Sequence, residues 1–170
     1  MIVGFKVRYR STDGFLDMKK RLEAINGKAV EVGVLKGKDA WLASIHEYGC
    51  DIEITDRMRA YLRGQGLYLK STTTHIHIPE RSFLRTGFDV NRDDVMAKAQ
   101  KVLLDVASGR TSARGCLQAV GLELSSKIRD YAISLDTPAN HPFTIDQKGS
   151  SNPLADTGDM IGGISWRISK

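Results

Sequence analysis

Val3, Phe5, Val7 and Tyr9 alternate with Gly4, Lys6, Arg8 and Arg10 at the head of the chain, the period-two pattern of a half-buried strand. Ser11 or Thr12 is placed to cap a helix whose apolar positions Phe15, Leu16, Met18, Leu22 and Ile25 lie near one face, and Asn26-Gly27 stops it. Val30, Val32 and Val34 then share one face of a second strand, with Glu31 and Gly33 on the other and Gly37 ending the run. Asp39 is placed to cap a short helix with Trp41, Ile45 and Tyr48 at i, i+4, i+7, and Gly49 supplies its left-handed exit.

Asp51–Thr55 and Thr74–Ile78 read as strands. Between them Met58, Tyr61 and Leu62 fall at helical spacing before Gly64-Gln65-Gly66, so residues 56–75 read as an arm or hairpin excursion. Pro79 suits the first turn of a helix in which Phe83, Leu84 and Phe88 bury together while Arg81 and Arg85 share an exposed face. Val95, Ala99, Val102 and Val106 continue that helix to Gly109. A second long helix starts near Ser112, with Leu117, Val120, Leu124, Ile128, Tyr131 and Leu135 on one face. Pro138, Pro142, Gly149 and Pro153 punctuate a long loop over residues 136–157, in which Phe143-Thr144-Ile145 suits a brief strand. Ile164, Trp166 and Ile168 mark a last strand that re-enters the sheet. The pattern predicts one α+β domain over residues 1–170, a mostly antiparallel sheet covered by two long amphipathic helices, with an extended arm and a long C-terminal loop.

Composition agrees with a single globular domain: 170 residues, 41% hydrophobic and 26% charged, enough to bury most of the apolar surface. Lys6 and Arg8 break the apolar run a signal peptide needs within Met1–Arg8, and no later stretch suits a bilayer, so a cytosolic origin is expected. Cys50 and Cys116 lie far apart without CxxC spacing and read as structural thiols. The net charge of +5 is uneven. Residues 1–30 hold seven Lys/Arg against three Asp/Glu and residues 57–85 six against one, whereas residues 31–56 hold two against six. Such blocks give a protomer one basic and one acidic flank, which suits head-to-tail contact between identical copies; a mixed, solvated surface is the plainer alternative. A basic DNA-binding module is a third reading, weak and nonspecific, because the basic residues are not clustered with stacking aromatics.

Two hydrolase-like motifs need separate weighing. His46-Glu47 resembles the start of an HExxH zinc helix, but position 50 is Cys50, so the second histidine is missing and His46 is expected to pack or hydrogen-bond at a helix end. Asp156-Thr157-Gly158 matches the catalytic loop of retropepsin-like aspartic proteases, where two aspartates of a dimer share a proton. That fold is nearly all strand and continues well past its D-T-G, whereas this chain reads as helical upstream and twelve residues follow Gly158. Asp156 is therefore expected to anchor a turn. His75 and His77 share a strand face, which permits chelation, but no third ligand is evident in the sequence. No catalytic, cofactor-binding or metal-ligating residue is assigned.

Three islands stand out in order: Ile45-His46-Glu47-Tyr48-Gly49, Ile78-Pro79-Glu80-Arg81-Ser82-Phe83-Leu84-Arg85 and Pro153-Leu154-Ala155-Asp156-Thr157-Gly158. Each pairs apolar anchors with a turn or cap residue, the chemistry of joints. Their order resembles the neck and tail-completion proteins of tailed bacteriophages, where a segment like IHEYG precedes one like IPERSFLR, then a long helical stretch, then PLxDTG before a final strand. The resemblance spans about residues 28–170 and lies in the order of the islands. Lys148-Gly149-Ser150 matches the basic turn before PLxDTG, and Ser82 stands where a second proline is more usual.

The resemblance implies a non-enzymatic virion structural protein, assembled in the host bacterial cytoplasm, that joins head to tail or completes the head-proximal end of the tail. Its subunits are expected to form a homo-oligomeric ring, often sixfold in that family. Implied partners are copies of itself, the head-tail connector and the tail tube or tail terminator, with DNA only as passing cargo and no membrane. The joint residues on this reading are Ile45, His46, Glu47, Tyr48, Gly49, Ile78, Pro79, Arg81, Phe83, Leu84, Pro153, Leu154, Asp156, Thr157 and Gly158. Subunit contacts are expected from the arm and the long loop, at Arg57, Arg59, Tyr61, Arg63, Tyr68, Phe143 and Lys148.

Overall fold

The computed structural model describes residues 11–170. The strand read over Val3 to Tyr9, and the side-chain cap expected from Ser11 or Thr12, lie outside the described residues. Among those described, the order is α1 (Ser11–Glu23), β1 (Ala29–Val34), α2 (Gly37–Tyr48), β2 (Cys50–Glu53), α3 (Asp56–Gly64), β3 (His75–Ile78), α4 (Phe83–Ser108), α5 (Ala113–Ser134), α6 (Pro142–Lys148), α7 (Asp159–Gly162) and β4 (Ile164–Ser169). The architecture is mixed helix and strand with small antiparallel sheets.

β1 pairs with β4 from Ala29↔Ser169 to Val34↔Ile164, and β2 with β3 from Cys50↔Ile78 to Glu53↔His75. Among the described residues these are two separate ladders, which corrects the expectation of one sheet. Connectivity is the reason: the 12 residues of α2 carry the chain away from β1, and β2 pairs with the strand at the far end of its own excursion. α4 packs along α5, and α5 in turn packs on β1 and β4. Ala43, Phe83, Leu124, Ile128, Leu154, Met160 and Ile164 belong to one buried cluster, so α2, α4, α5, α7, β4 and the turn before α7 share a core.

Glycine sets two of the closest approaches. A Cβ at Gly87 of α4 would lie 3.2 Å from Cδ1 of Tyr131 on α5. At Gly121 of α5 it would lie 2.6 Å from Cδ2 of Trp166, so the helix backbone rests directly on the indole of β4.

Several local expectations change. Trp41 and Tyr48 do not face the core; they are 69% and 66% exposed, while Ala43 and Glu47 are the buried residues of α2. The helix is turned this way because its carboxylate is needed inside. α2 also starts at Gly37 without a side-chain cap, leaving Asp39 in the first turn, where its charge suits the helix dipole. Gly49 does supply a positive-φ exit, at φ 73°, but with ψ 168° it lies outside the left-handed helical well, and a Cβ there would stand 2.9 Å from the Glu80 nitrogen. On α1, Phe15 and Leu16 are exposed, and on α4 Phe88 is too. Pro79 does not open α4, which begins at Phe83 after four residues outside helix and strand. Phe143-Thr144-Ile145 lies in α6, not in a strand: Pro142 fits its first turn, His141 Nδ1 accepts the Phe143 N–H at 3.2 Å, and Gly149 ends it at φ 66°. The loop expected over residues 136–157 is therefore interrupted by a helix.

Gly121→Ala is expected to lose about 1–3 kcal/mol in urea unfolding, because the Trp166 ring must move. Gly14→Ala, with open space around it in α1, is expected to be neutral or to gain up to about 1 kcal/mol. Equal unfolding midpoints for the two variants would show the indole contact to be loose.

Candidate functional site

α4 begins without a cap of its own. Its first turn holds no acidic residue, Ser82 makes no capping bond, and the amide groups at a helix start need acceptors. Glu47, from the last turn of α2, provides them: Oε2 accepts the Leu84 N–H at 2.8 Å and Oε1 accepts the Arg85 N–H at 3.0 Å. Oε1 also accepts the Ser82 hydroxyl at 3.0 Å and Arg85 Nε at 2.9 Å, and the side chain is 3% exposed. Arg85 donates further to the Glu47 carbonyl at 2.9 Å and to Glu80 at 2.7 Å, and its guanidinium stands 4.7 Å from the centre of the Tyr48 ring. The hydrogen bond that Arg85 donates to Glu47, more than any other contact, raises the Arg85 pKa. His46-Glu47 thus imitates a zinc helix in sequence and acts as a capping joint in the fold.

Arg81 turns away from Arg85. It is 4% exposed, not on the shared exposed face expected, because it lies before the helix begins. Nε donates to the Pro138 carbonyl at 2.7 Å, and Nη2 donates to the Ala139 carbonyl and to Asn140 Oδ1 at 3.2 Å each. Its backbone N–H donates to the His46 carbonyl at 2.7 Å, and Nη1 is 3.5 Å from His46 Nδ1. Burial lowers the Arg81 pKa. Burial first, then the charges of Arg81 and Lys148, push His46 down to about 4, so its ring is neutral at pH 7. Lys148 is also lowered by burial; it donates to the carbonyls of Asn152 at 3.0 Å and Pro153 at 3.4 Å.

Asn152 completes the path. Its Oδ1 accepts the N–H groups of Leu154 and Ala155 at 2.8 and 2.9 Å, and its Nδ2 donates to the Ile133 carbonyl near the end of α5 at 2.8 Å. The first two islands are thus joined through Glu47, His46 and Arg81, and the third meets them through Leu154 in the shared core and through Lys148, whose charge reaches His46 and Arg81. Within the third island, Pro153 and Leu154 are buried, while Asp156, Thr157 and Gly158 are exposed. Thr157 Oγ1 donates to Asp159 Oδ2 at 2.7 Å. Asp156 borders a cleft of about 310 Å³ shared with Lys38, Asp39, Trp41, Leu42 and Met160.

Other sequence candidates stay apart from this joint. Ile45 and Ile78 are half-buried, as is Pro79. His75 and His77 face solvent opposite Glu53 and Asp51, with His77 Nδ1 2.7 Å from Asp51 Oδ1. Among the described residues no three metal-ligating side chains converge. Arg57, Tyr61, Arg63 and Tyr68 are exposed on the arm. Arg59 instead folds inward, donating to the carbonyls of Leu69, Lys70 and Thr73 at 3.4, 2.9 and 2.6 Å. Phe143 is half-buried. Sequence reasoning missed Asn140, Asn152 and the reach of Glu47; the Asn152-Pro153 dipeptide, a turn signal, is the one visible cue.

Compared with protein-family models, curated proteins and solved structures, the chain matches none.

Glu47→Ala is expected to cost about 1–3 kcal/mol, since it leaves amide donors at the start of α4 without their acceptor. Glu47→Gln, which keeps one carbonyl oxygen, is expected to cost less; urea unfolding with amide exchange at Leu84 and Arg85 measures both. His46 takes up a proton near 6.5 when unfolded and only near 4 when folded, so its stabilising contribution is full above about pH 6.5 and is lost as pH falls toward 4. Stability measured across that window is expected to fall with pH, and more shallowly in His46→Gln.

Proposed function

We propose that this chain is a structural protein of a tailed-phage virion, a ring subunit that joins head to tail or completes the head-proximal end of the tail. Its working body on this reading is a pair of long helices laid over a small antiparallel sheet. One observation carries the proposal: the polar groups of the first two islands are taken up in joining elements, while the arm keeps Arg57, Tyr61, Arg63 and Tyr68 outward. Glu47 is satisfied by helix N–H groups and Arg85, and His46 is held between backbone and cations; neither is free to move a proton to or from a substrate. Asp156 is exposed beside Lys148 in a turn followed only by the short α7 and β4, unlike the strand-rich surround of an aspartic-protease loop.

The function is assembly. Partners on this reading are further copies of the chain, the head-tail connector and the tail tube or tail terminator, with DNA passing through the ring unread. The arm and the segment around α6 are the contact regions, set in place by the rigid joint behind them. A weak DNA-binding module is the rival reading, favoured by the net charge of +5 and the outward arginines Arg57 and Arg63.

Sizing the purified protein, alone and mixed with the neighbouring virion proteins, separates the two. A ring subunit gives a concentration-dependent oligomer or enters connector and tail particles. A strict monomer that never enters such particles, yet binds duplex DNA with steep loss in salt, overturns the virion reading in favour of the DNA module.

A further inference from the structure

The arm has the composition of an interface anchor. α3 spans 9 residues with none buried, and Thr55 Oγ1 accepts the Met58 N–H at 3.2 Å to start it. The three carbonyl bonds of Arg59 tie the chain after α3 back onto the helix. Tyr61 and Tyr68, 65% and 76% exposed, stand outward with Arg57 and Arg63. Residues 56–74 hold four Lys/Arg against one Asp. Tyrosine and arginine on a braced element make a surface that loses little side-chain freedom on contact, and both are enriched where protein interfaces hold their energy.

The cleft beside Asp156 is the opposite surface. Trp41 and Leu42 on α2 face Leu154 and Met160 across about 310 Å³, and its carboxylates, Asp39, Asp156 and Asp159, outnumber the single cation Lys38. The acidic block at residues 31–56 supplies only Asp39; folding adds the other two from the far end of the chain. The walls are fixed, since Leu154 and Met160 belong to the core and the Thr157–Asp159 hydrogen bond holds the turn between them. An exposed tryptophan in an acidic cleft, within a fold that carries a basic tyrosine-bearing arm, pairs two unlike patches on one chain.

Taking the ring as premise, we propose that the arm of one copy docks in this cleft of the next, its tyrosines entering beside Trp41 and Leu42 while Arg57 and Arg63 meet Asp39, Asp156 and Asp159. The contact is heterologous, so each copy gives an arm and receives one. Repeated around a closed rotation, it leaves neither surface unpaired.

Charge exchange tests the docking. Arg57→Glu with Arg63→Glu in one protein, and Asp39→Lys with Asp156→Lys in another, alter exposed or rim side chains and are checked for folding by thermal unfolding. Each is expected to raise the concentration at which oligomers form by about tenfold or more, and mixing the two is expected to restore mixed assembly, because the swapped patches attract. A benzophenone side chain placed at Tyr68 is expected to cross-link a neighbour within α2 or residues 154–160. Wild-type oligomers whose formation is indifferent to both exchanges, with cross-links elsewhere, overturn the docking and leave the ring standing. Absence of any oligomer from the wild-type protein, even with its neighbouring virion proteins, overturns the ring itself. Unchanged oligomers with loss of duplex DNA retention in the arm variant assign the arm to nucleic acid and overturn the docking.

Discussion

A single buried carboxylate fixes the relation between α2 and α4, and much of the molecule follows from it. Taking Glu47 out of water costs several kcal/mol, and only complete hydrogen bonding with a nearby cation offsets that. Both conditions are met at the start of α4, where amide groups of Leu84 and Arg85 point at the carboxylate and the helix dipole favours negative charge. The donors come from successive residues of one helix turn, so they specify direction as well as contact. α4 is 26 residues long, about 39 Å at the usual helical rise, and a small change of angle at its start would displace its far end substantially. The angle set at Glu47 is therefore passed to α5 and, through α5, to the β1–β4 ladder.

His46 and Glu47 are neighbours in sequence, yet they serve different elements. Successive residues on a helix point about 100° apart, so α2 presents the carboxylate to α4 and the imidazole to the segment before it. Arg81 and Arg85 divide in the same way. Were residues 81–85 all helical, the two would share a face; because the helix begins at Phe83, Arg81 lies in the segment before it and reaches the carbonyls at 138–140. A cation held by carbonyls keeps its charge without a carboxylate, and burial first, then its field and that of Lys148, hold His46 neutral. The neutral ring is thus part of the joint.

Periodicity reports which face of an element is apolar, and along α5 that was enough: Leu117, Leu124 and Ile128 are buried, and Ser112 accepts the Gly115 N–H at 3.0 Å as a cap. β1 and β4 were legible for the same reason. α2 was not, because its inward face is decided by a charge whose partners lie 35 to 38 residues further on, and an apolar stripe through Trp41 and Tyr48 says nothing about them. α6 misled through local preference. Thr144 and Ile145 are β-branched and favour strands, but Pro142 at one end and Gly149 at the other are stronger boundary signals. The order of the islands was visible, whereas their convergence depends on side chains such as Asn152 and Arg81, whose partners no local pattern identifies.

Internal and external uses of arginine divide the molecule into a joint and a reaching part. Arg81 and Arg85 bind groups on other elements and hold the body together; Arg59 binds the arm to itself; Arg57 and Arg63 face outward. Arg59 matters most to the energetics of association. An unbraced segment of about twenty residues would lose backbone freedom when it met a partner, at roughly 1–2 kcal/mol per residue fixed, more than a small contact recovers. Three carbonyl bonds from one guanidinium order much of that segment within the protomer, before any partner arrives. An arm ordered in advance associates with little further loss of freedom, which is the condition under which a small aromatic and basic surface can hold a neighbour at all.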